Sequence, residues 1–369
     1  MHTPSKSAVR FAVVGLGHFG QTAVLPAFAN AKEKATLAAL FTGDAEKAHE
    51  LSAKYQVKAH SYDAYDRLLA AGDIDAVYIA LPNAQHRDYT ERAARAGVHV
   101  LCEKPLAATV EDAAAMVEAC ERQGIKLMTA YRLHFEEGNL QAIKVVQSGR
   151  LGLPRVFTSI HSSQVEAGNT RLDASLGGGP LEDIGIYSIN AARYLFQAEP
   201  FEASAFAVHG DDPRFAEVPE TVTAMLRFPD DRLATFICSF GAANHSEYRV
   251  IGADGTLTMN PAFTWQGDIQ QKIVVKGREE SRTFAHRDQL AAELLYFAEC
   301  IQQDRTPEPS GDEGLIDVRI IDALRKSVAE GRAVKLSIEG DARPNVSQSI
   351  QRDPPRQPTP VNAAAPAKK

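Results

Sequence analysis

The chain has 369 residues, of which 44% are hydrophobic and 24% are charged, and its formal net charge is −7. This length exceeds one ordinary hydrophobic core and predicts two domains of about 100–200 residues each. The mild acidity, without a block of Lys and Arg, argues against nucleic acid or an anionic membrane as the main partner, so we expect a small-molecule ligand.

Neither end of the sequence predicts export or membrane insertion. Residues 1–9 are polar and lack the apolar stretch of a secretory signal, and no segment approaches the ~18–20 apolar residues of a membrane span. We therefore expect a cytoplasmic protein. The four cysteines have no C-x-x-C spacing, so we expect reduced thiols and no metal site.

The first element is a buried strand that ends in a glycine-rich turn. Phe11 to Val14 is apolar and runs into G-x-G-x-x-G, after which residues 23–29 have a helical pattern. In that setting the turn predicts dinucleotide binding, because its glycines allow a tight turn, a close approach to the pyrophosphate and close helix packing. The residues of this turn are Gly15, Leu16, Gly17, His18, Phe19 and Gly20.

The end of the second predicted strand, Ala35 to Phe41, bears on the choice of cofactor. NAD-binding turns carry an acidic residue here, which bonds the ribose 2′-hydroxyl and repels a 2′-phosphate. This chain has Thr42-Gly43, with Lys47 one helical turn later, which favours NADP. Asp44 is the counterargument, because a small loop shift would bring it to the ribose and favour NAD.

Strands and helices alternate as far as residue 130, which predicts a doubly wound parallel sheet of the Rossmann type. After that point the pattern changes to β segments separated by turns, with a helix after the triple glycine at 177–179. We therefore expect an α/β protein with a dinucleotide-binding domain at 1–130. A second, α+β domain at 131–340 would have an open, mostly antiparallel sheet.

The second domain and the tail lead to two further expectations. One face of the predicted sheet carries apolar residues that nothing in the sequence covers, so we expect a homodimer formed through this sheet. Six of the 19 prolines fall in residues 341–369, where large apolar residues are scarce. This composition predicts a disordered tail or a semi-extended strap.

Two groups of polar residues lie where chemistry is expected. Glu103-Lys104-Pro105 follows a core strand at the ligand edge of the sheet, where Lys104 would hold a substrate hydroxyl; the simpler interpretation is a solvated surface turn. Asp183 and Tyr187 stand at i and i+4 on one helix, so both would face one ligand. A Tyr base needs a neighbouring cation such as Lys104. The simpler interpretation of Tyr187 is a side chain packed between domains.

These motifs, in this order, resemble the glucose–fructose oxidoreductase / inositol dehydrogenase / MocA family over nearly the whole chain to about Val334. Within that family, the sequence is most similar to the glucose–fructose and aldose–aldose oxidoreductase branch. The features that carry this likeness are Thr42 to Ala48, Tyr131-Arg132, and Asp-Ile-Gly-Ile-Tyr at 183–187. The chain departs from relatives by having Asn169-Thr170-Arg171 in place of a Trp-Arg pair.

The resemblance implies roles for individual residues. Lys104 and Tyr187 would be the catalytic pair, and Asp183 would bind or orient the sugar. The substrate pocket would include Tyr131, Arg132 and Arg171. The cofactor would contact the glycine turn together with Thr42, Gly43, Lys47, Leu81, Pro82, Asn83, His86, Glu103, Lys104 and Arg132.

The resemblance also implies an NADP-dependent oxidation at the anomeric C1–OH of an aldose to a lactone, with a second sugar as a potential acceptor. The branch's tight cofactor retention is associated with an extended N-terminal arm, and only residues 1–9 are available here, so we do not expect permanent retention. Two alternatives stay open. One is a dehydrogenase of a cyclitol or another diol, and the other is a non-catalytic NADP(H)-binding regulator.

Overall fold

The structure is a computed structural model that describes residues 8–338, 348 and 352–366. The expectations for residues 1–7 and for most of 339–351 therefore lie outside the described residues. Within the described part of the chain, none of the helices has the length and apolarity needed to cross a membrane.

The first domain contains a parallel sheet, as predicted. Its six strands have the order β3-β2-β1-β4-β5-β6, so the strand order reverses between β1 and β4. In doubly wound sheets such a reversal opens a ligand crevice at the carboxyl ends of the strands. The strands are β1 Val9–Val14, β2 Ala35–Phe41, β3 Ala59–His60, β4 Ala76–Ile79, β5 His99–Glu103 and β6 Leu127–Ala130.

Five helices accompany this sheet, and their ends follow local sequence signals. Asp44 caps the second helix by accepting from two backbone N–H groups, and Gly124 ends the fifth in the left-handed conformation. The helices are α1 Leu25–Ala31, α2 Ala45–Tyr55, α3 Tyr65–Ala70, α4 His86–Arg95 and α5 Val110–Gln123. A π-helical turn at Gly20–Val24 joins the glycine turn to α1.

The second domain is built on a nine-stranded mixed sheet of order β14-β13-β12-β11-β7-β10-β9-β8-β15. Only β7 and β10 pair in parallel, so the prediction of a mostly antiparallel sheet is confirmed. The strands are β7 Pro154–Ser162, β8 Glu202–Val208, β9 Thr221–Phe228, β10 Arg232–Ser239, β11 His245–Gly252, β12 Gly255–Met259, β13 Ile269–Val275, β14 Arg278–Phe284 and β15 Val334–Lys335.

Four more helices complete the fold: α6 Glu137–Gln147, α7 Ile186–Phe196, α8 Gln289–Gln303 and α9 Gly311–Glu330. Helices α6 and α7 pack on the inner face of the second sheet. Helix α8 returns to the first domain and lies against α1 and β1, whereas α9 contacts both α5 and β8. The last helix therefore connects the two domains.

The outer face of the second sheet is apolar and exposed. Burial alternates along β9, where Val222, Ala224 and Leu226 are buried while Met225 is exposed. Phe206 on β8 is 74% exposed, which is unusual for a large aromatic side chain. The other exposed apolar side chains of these strands are Ile160, Val208, Leu233, Ile237 and Ile251.

Two regions differ from the expectations. Strand β14 was not expected, because its residues are exposed except for Phe284 and give no apolar alternation. Residues 352–366 of the tail lie along the protein surface and form specific hydrogen bonds. Of the two expected forms, this segment therefore has that of a strap.

Candidate active site

The glycine turn after β1 has the shape of a dinucleotide cradle. Gly15 adopts a φ of +98°, and a Cβ there would meet the Ala80 carbonyl oxygen at 2.5 Å. A Cβ on Gly20 would meet the Gly15 oxygen at 2.7 Å, whereas a Cβ on Gly17 would point into open space. Open space at the second glycine, between two tightly packed ones, fits a pyrophosphate that lies against the backbone.

The turn after β2 is where the adenosine ribose would lie. Thr42 is buried, and its hydroxyl accepts from the Asp44 N–H at 3.2 Å. The Asp44 carboxylate accepts from the Glu46 and Lys47 N–H groups at 2.9 and 3.0 Å, which caps α2. A shift of Asp44 toward the ribose would break both cap bonds, which weakens the argument for NAD.

His86, which is predicted to flank the cofactor, lies between the turns after β4 and β5. It is fully buried, with Nε2 2.9 Å from the Leu81 oxygen and Nδ1 3.1 and 3.2 Å from the Pro105 and Leu106 oxygens. Burial lowers the pKa of this imidazole against the effect of the three carbonyl oxygens. His86 thus joins the turn after β4 to the turn that follows Lys104, and its place beside the cofactor stays a prediction.

Lys104 meets Asp183 at the junction of the two domains. Its Nζ donates to the Asp183 backbone oxygen at 2.6 Å and to the carboxylate at 3.1 Å. The Arg171 Nε donates to the other carboxylate oxygen at 2.7 Å. Gly178 permits this arrangement, because a Cβ there would meet the Arg171 carbonyl oxygen at 2.4 Å.

The charges of this cluster are fixed by their neighbours. Burial alone would raise the pKa of Asp183, but Arg171 and Lys104 outweigh it and hold the pKa well below its ordinary range. Burial opposes the charge of Lys104, yet Asp183 outweighs it and raises the pKa of the ammonium group. Asp183 is therefore ionised and Lys104 protonated at neutral pH, so Asp183 orients its partners and does not exchange a proton.

Tyr187 follows Asp183 by one helical turn, and two cations lie close to its ring. The Lys104 Nζ and the Arg132 guanidinium are each 4.9 Å from the centre of its ring. Phe263 stacks on the same ring at 5.7 Å. Arg132 is buried and held by the Gln289 side chain and the Phe263 carbonyl oxygen.

Tyr131 points away from this cluster, unlike its neighbour Arg132. Its side chain is 2% exposed and its hydroxyl donates to Asp317 at 2.5 Å. Its ring stacks on His134. Asp317 and His134 thus hold Tyr131 in place, and its role in the substrate pocket stays a prediction.

The structure adds His161 to the site, which the sequence analysis did not single out. His161 lies 5.6 Å from the Tyr187 ring, and its Nδ1 is 3.3 Å from the Ile184 carbonyl oxygen. Burial, with Arg132 and Lys104 nearby, lowers its pKa to about 3, so the imidazole is neutral. The available signal was the alternation of β7, which puts His161 on the face opposite the exposed Ile160.

Glu103 lies beneath Lys104 in a second polar group. The Tyr78 hydroxyl donates to Glu103 at 2.7 Å and lies 3.4 Å from Glu293 on α8. Burial raises the pKa of both carboxyl groups. Among the described residues, no group of three or more His, Cys, Asp and Glu could hold a metal ion.

Asn83 joins the two domains at the edge of the crevice. Its side-chain amide donates to the Gly177 carbonyl oxygen at 2.8 Å. Leu81 and Pro82 precede it in the turn after β4, Gly43 lies in the turn after β2, and Lys47 lies in the first turn of α2. These residues border the crevice in which the cofactor contacts were predicted.

Comparisons with known proteins agree with this geometry. Residues 9–131 match the family model "Oxidoreductase family, NAD-binding Rossmann fold", and residues 139–258 match the GFO/IDH/MocA C-terminal domain. A D-xylose 1-dehydrogenase [NADP(+)] of Haloarcula marismortui is 33% identical over 90% of this chain and 95% of its own length.

Solved structures give the same relationship. The aldose–aldose oxidoreductase of Caulobacter crescentus, complexed with glycerol, has a TM-score of 0.85 at 40% identity and covers 89% of this chain and 100% of its own. A 3-ketoreductase of Actinomadura kijaniata in complex with NADP and TDP-benzene has a TM-score of 0.79 at 26% identity, with coverages of 87% and 98%. The chain therefore belongs to the GFO/IDH/MocA family of oxidoreductases.

Proposed function

We propose that this protein is an NADP-dependent oxidoreductase that oxidises the anomeric C1–OH of an aldose to the lactone. The observation that carries the proposal is the joint position of Lys104, Asp183 and Tyr187 beside an open dinucleotide cradle at Gly17. The relatives named as D-xylose 1-dehydrogenase and aldose–aldose oxidoreductase support an aldose as the substrate class.

NADP⁺ bound in the cradle supplies the acceptor for the hydride that leaves C1. Tyr187 reacts in this step as the phenolate, whose oxygen takes the proton of the C1 hydroxyl. The C1–H bond and the hydroxyl O–H bond break, while the C1 carbonyl bond and a new O–H bond on Tyr187 form. Lys104 and Arg132 stabilise the negative charge that this phenolate carries before the transfer, because both cations lie 4.9 Å from the Tyr187 ring. Asp183 holds Lys104 in place.

The first test is a substrate screen of the wild type, followed by kinetics of single variants with the accepted substrate. The wild type is incubated with NADP⁺ and aldoses, cyclitols or aryl diols, and NADPH formation is followed. We expect Tyr187→Phe to lower kcat for an accepted aldose roughly 10²–10⁴-fold, the usual effect of losing a general base. The affinity for NADPH should stay unchanged, because the glycine turn is untouched.

A matched control lies on the same helix. Tyr194→Phe removes a hydroxyl that donates to the buried Glu313 at 2.9 Å, away from the cluster, and should leave kcat near the wild-type value. A Tyr187→Phe enzyme that turns over at the wild-type rate would contradict the proposed role. A wild type that reduces NADP⁺ only with a cyclitol or aryl diol would contradict the substrate class.

We also propose that the protein forms a two-fold homodimer through the outer face of the second sheet. The exposed apolar side chains of β7 to β11 support this, because an apolar surface of this kind is stabilised by burial against a second copy.

A further inference from the structure

Residues 352–366, here called the C-terminal strap, are bound to the first domain at their beginning. The Asp288 N–H donates to the Arg352 oxygen at 2.9 Å, and the Asn30 side-chain amide donates to the Asp353 oxygen at 2.8 Å. The Arg352 guanidinium donates to Glu33 at 2.7 Å. The strap therefore begins beside α1 and the start of α8.

The middle of the strap is anchored to the glycine turn itself. Gln21 is 1% exposed, and its side-chain amide donates to the Val361 oxygen at 2.8 Å and accepts from the Val361 N–H at 2.7 Å. The same Gln21 amide donates to the Leu16 oxygen in the turn at 2.9 Å. One buried side chain thus joins the pyrophosphate cradle to the strap.

The strap then reaches the ribose end of the crevice. The Asn362 side-chain amide donates to Glu46 at 2.5 Å and lies 3.5 Å from Asp44, both at the start of α2. Asn362 has a φ of +43°, so the chain turns here.

Four residues later the strap is bound to the second domain, where the Glu166 N–H donates to the Pro366 oxygen at 3.1 Å. Four residues span at most about 14 Å. The strap therefore crosses from one wall of the crevice to the other.

We propose that the strap closes over the crevice and retains NADP(H) between turnovers. The inference rests on the proposed cofactor function and concerns the rate at which the cofactor leaves. A cofactor bound between the glycine turn and α2 would leave after Val361 and Asn362 detach. The strap contains five prolines, which lower the entropy lost when it is held extended.

The contact at Asn362 provides a nearly isosteric test. Asn362→Asp places a third carboxylate beside Asp44 and Glu46, so like charges repel and the strap detaches. Gln357→Glu is the matched control, because it makes the same charge change in the strap. Gln357 accepts from the Gln266 amide at 3.0 Å, a bond that a carboxylate can keep.

The measurement is the dissociation rate of NADPH from full-length protein, followed by nicotinamide fluorescence during a chase with excess NADP⁺. We expect Asn362→Asp to release NADPH about tenfold faster than the wild type, and Gln357→Glu to match the wild type. A chain ending at residue 351 should release NADPH at least as fast as Asn362→Asp. Its thermal unfolding is measured alongside.

Three results would overturn the inference. Equal dissociation rates for the wild type and Asn362→Asp, with NADPH binding intact, would remove the strap's role and leave the cofactor function standing. Tighter NADPH binding without the strap would show that it competes with the cofactor. A wild type that binds no NADPH would contradict the proposed function itself, and the inference would fall with it.

Discussion

At the residue scale, the pKa values of two carboxyl groups, the partly exposed Asp183 and the buried Glu293, are shifted in opposite directions. Asp183 lies between Lys104 and Arg171, whose charges more than offset its burial. Glu293 is buried, but its neighbours are Tyr78 and the acidic Glu103. The difference arises from the surrounding charges, because burial acts to raise the pKa of both groups.

The raised pKa of Glu293 can be tested through stability. Burial and then Glu103 raise the pKa of Glu293 well above its usual value, so the folded protein keeps a proton that the unfolded chain loses above a pH of about 4.3. Stability from this group is complete below that pH and is lost as the pH rises toward the folded pKa. Glu293→Gln does not titrate, so it should gain stability relative to the wild type between pH 4 and pH 8.

Relative to the wild type, the free energy of unfolding of Glu293→Gln should rise by up to about 1.4 kcal/mol per pH unit. Urea unfolding at several pH values measures it. Glu299→Gln on the same helix is the control, and its effect on the free energy of unfolding should have the opposite sign. The Lys34 ammonium, 2.9 Å away, lowers the pKa of Glu299, so this variant should lose a little stability at pH 7. A Glu293→Gln protein that is less stable than the wild type at pH 8 would show that Glu293 is ionised.

Cofactor choice is a second property that depends on one residue. Thr42→Asp places a carboxylate at the end of β2, where it would repel a 2′-phosphate and accept from a ribose hydroxyl. We expect the ratio of the Kd values for NADP⁺ and NAD⁺ to reverse in this variant, as measured by fluorescence titration. Thr42→Ser keeps the hydroxyl that accepts from Asp44 and should keep the wild-type preference. A wild type that binds NAD⁺ as tightly as NADP⁺ would contradict the assignment of this turn.

The sequence could predict the site where its signals are local. The glycine turn, Lys104 after a core strand, and the pair Asp183 and Tyr187 all depend on spacing within a few residues. The directions of neighbouring side chains were harder to predict. No local sequence signal indicates that Arg132 contacts Tyr187 while Tyr131 donates to Asp317.

At the element scale, the parallel sheet and the mostly antiparallel sheet were predicted from the apolar patterns of their strands and from the helices between them. Elements without such a pattern were missed. Phe284 is the one buried residue of strand β14, so its side chains give no apolar pattern. Backbone pairing with β13 holds this strand in place. The path of the strap depends on Gln21, which is far away in the sequence.

Helices α7 and α9 are joined by a buried ion-pair network whose removal should be costly. Arg193 is 1% exposed and pairs with Glu199, Glu313 and Asp317 at 2.6, 3.1 and 2.8 Å. Arg193→Met leaves these carboxylates buried without a cation, so we expect a loss of about 3–5 kcal/mol at pH 8. The loss should shrink toward pH 5, because uncompensated buried carboxyl groups bind protons more readily.

Urea unfolding at the two pH values measures this effect. The control is Arg122→Met on α5, whose partner Glu118 is 3.1 Å away and largely exposed, and which should cost less than about 1 kcal/mol. An Arg193→Met protein as stable as the Arg122→Met control at pH 8 would contradict the role of the network.

At the scale of the whole molecule, the two proposals concern two different surfaces, the crevice of the first domain and the outer face of the second sheet. The strap covers the crevice of the first domain, and the outer face of the second sheet is available to a second copy. Helix α9 contacts both α5 and β8, so it connects the proposed dimer face to the dinucleotide domain.

The proposed dimer can be disrupted on this face. Ile160 and Ile237 are paired on neighbouring parallel strands and are 44% and 40% exposed, so they form an apolar pair on the outer face. Ile237→Glu places a charge there, which would be buried without a partner in a dimer and solvated in a monomer. We expect light scattering at micromolar concentration to give a particle of twice the 40.0 kDa chain mass for the wild type and of one chain mass for Ile237→Glu.

Val328→Glu is the control, because Val328 is 38% exposed on α9 rather than on this sheet, and it should stay dimeric. A wild type that scatters as a single chain, or an Ile237→Glu protein that remains a dimer, would show that the sheet face is not the interface.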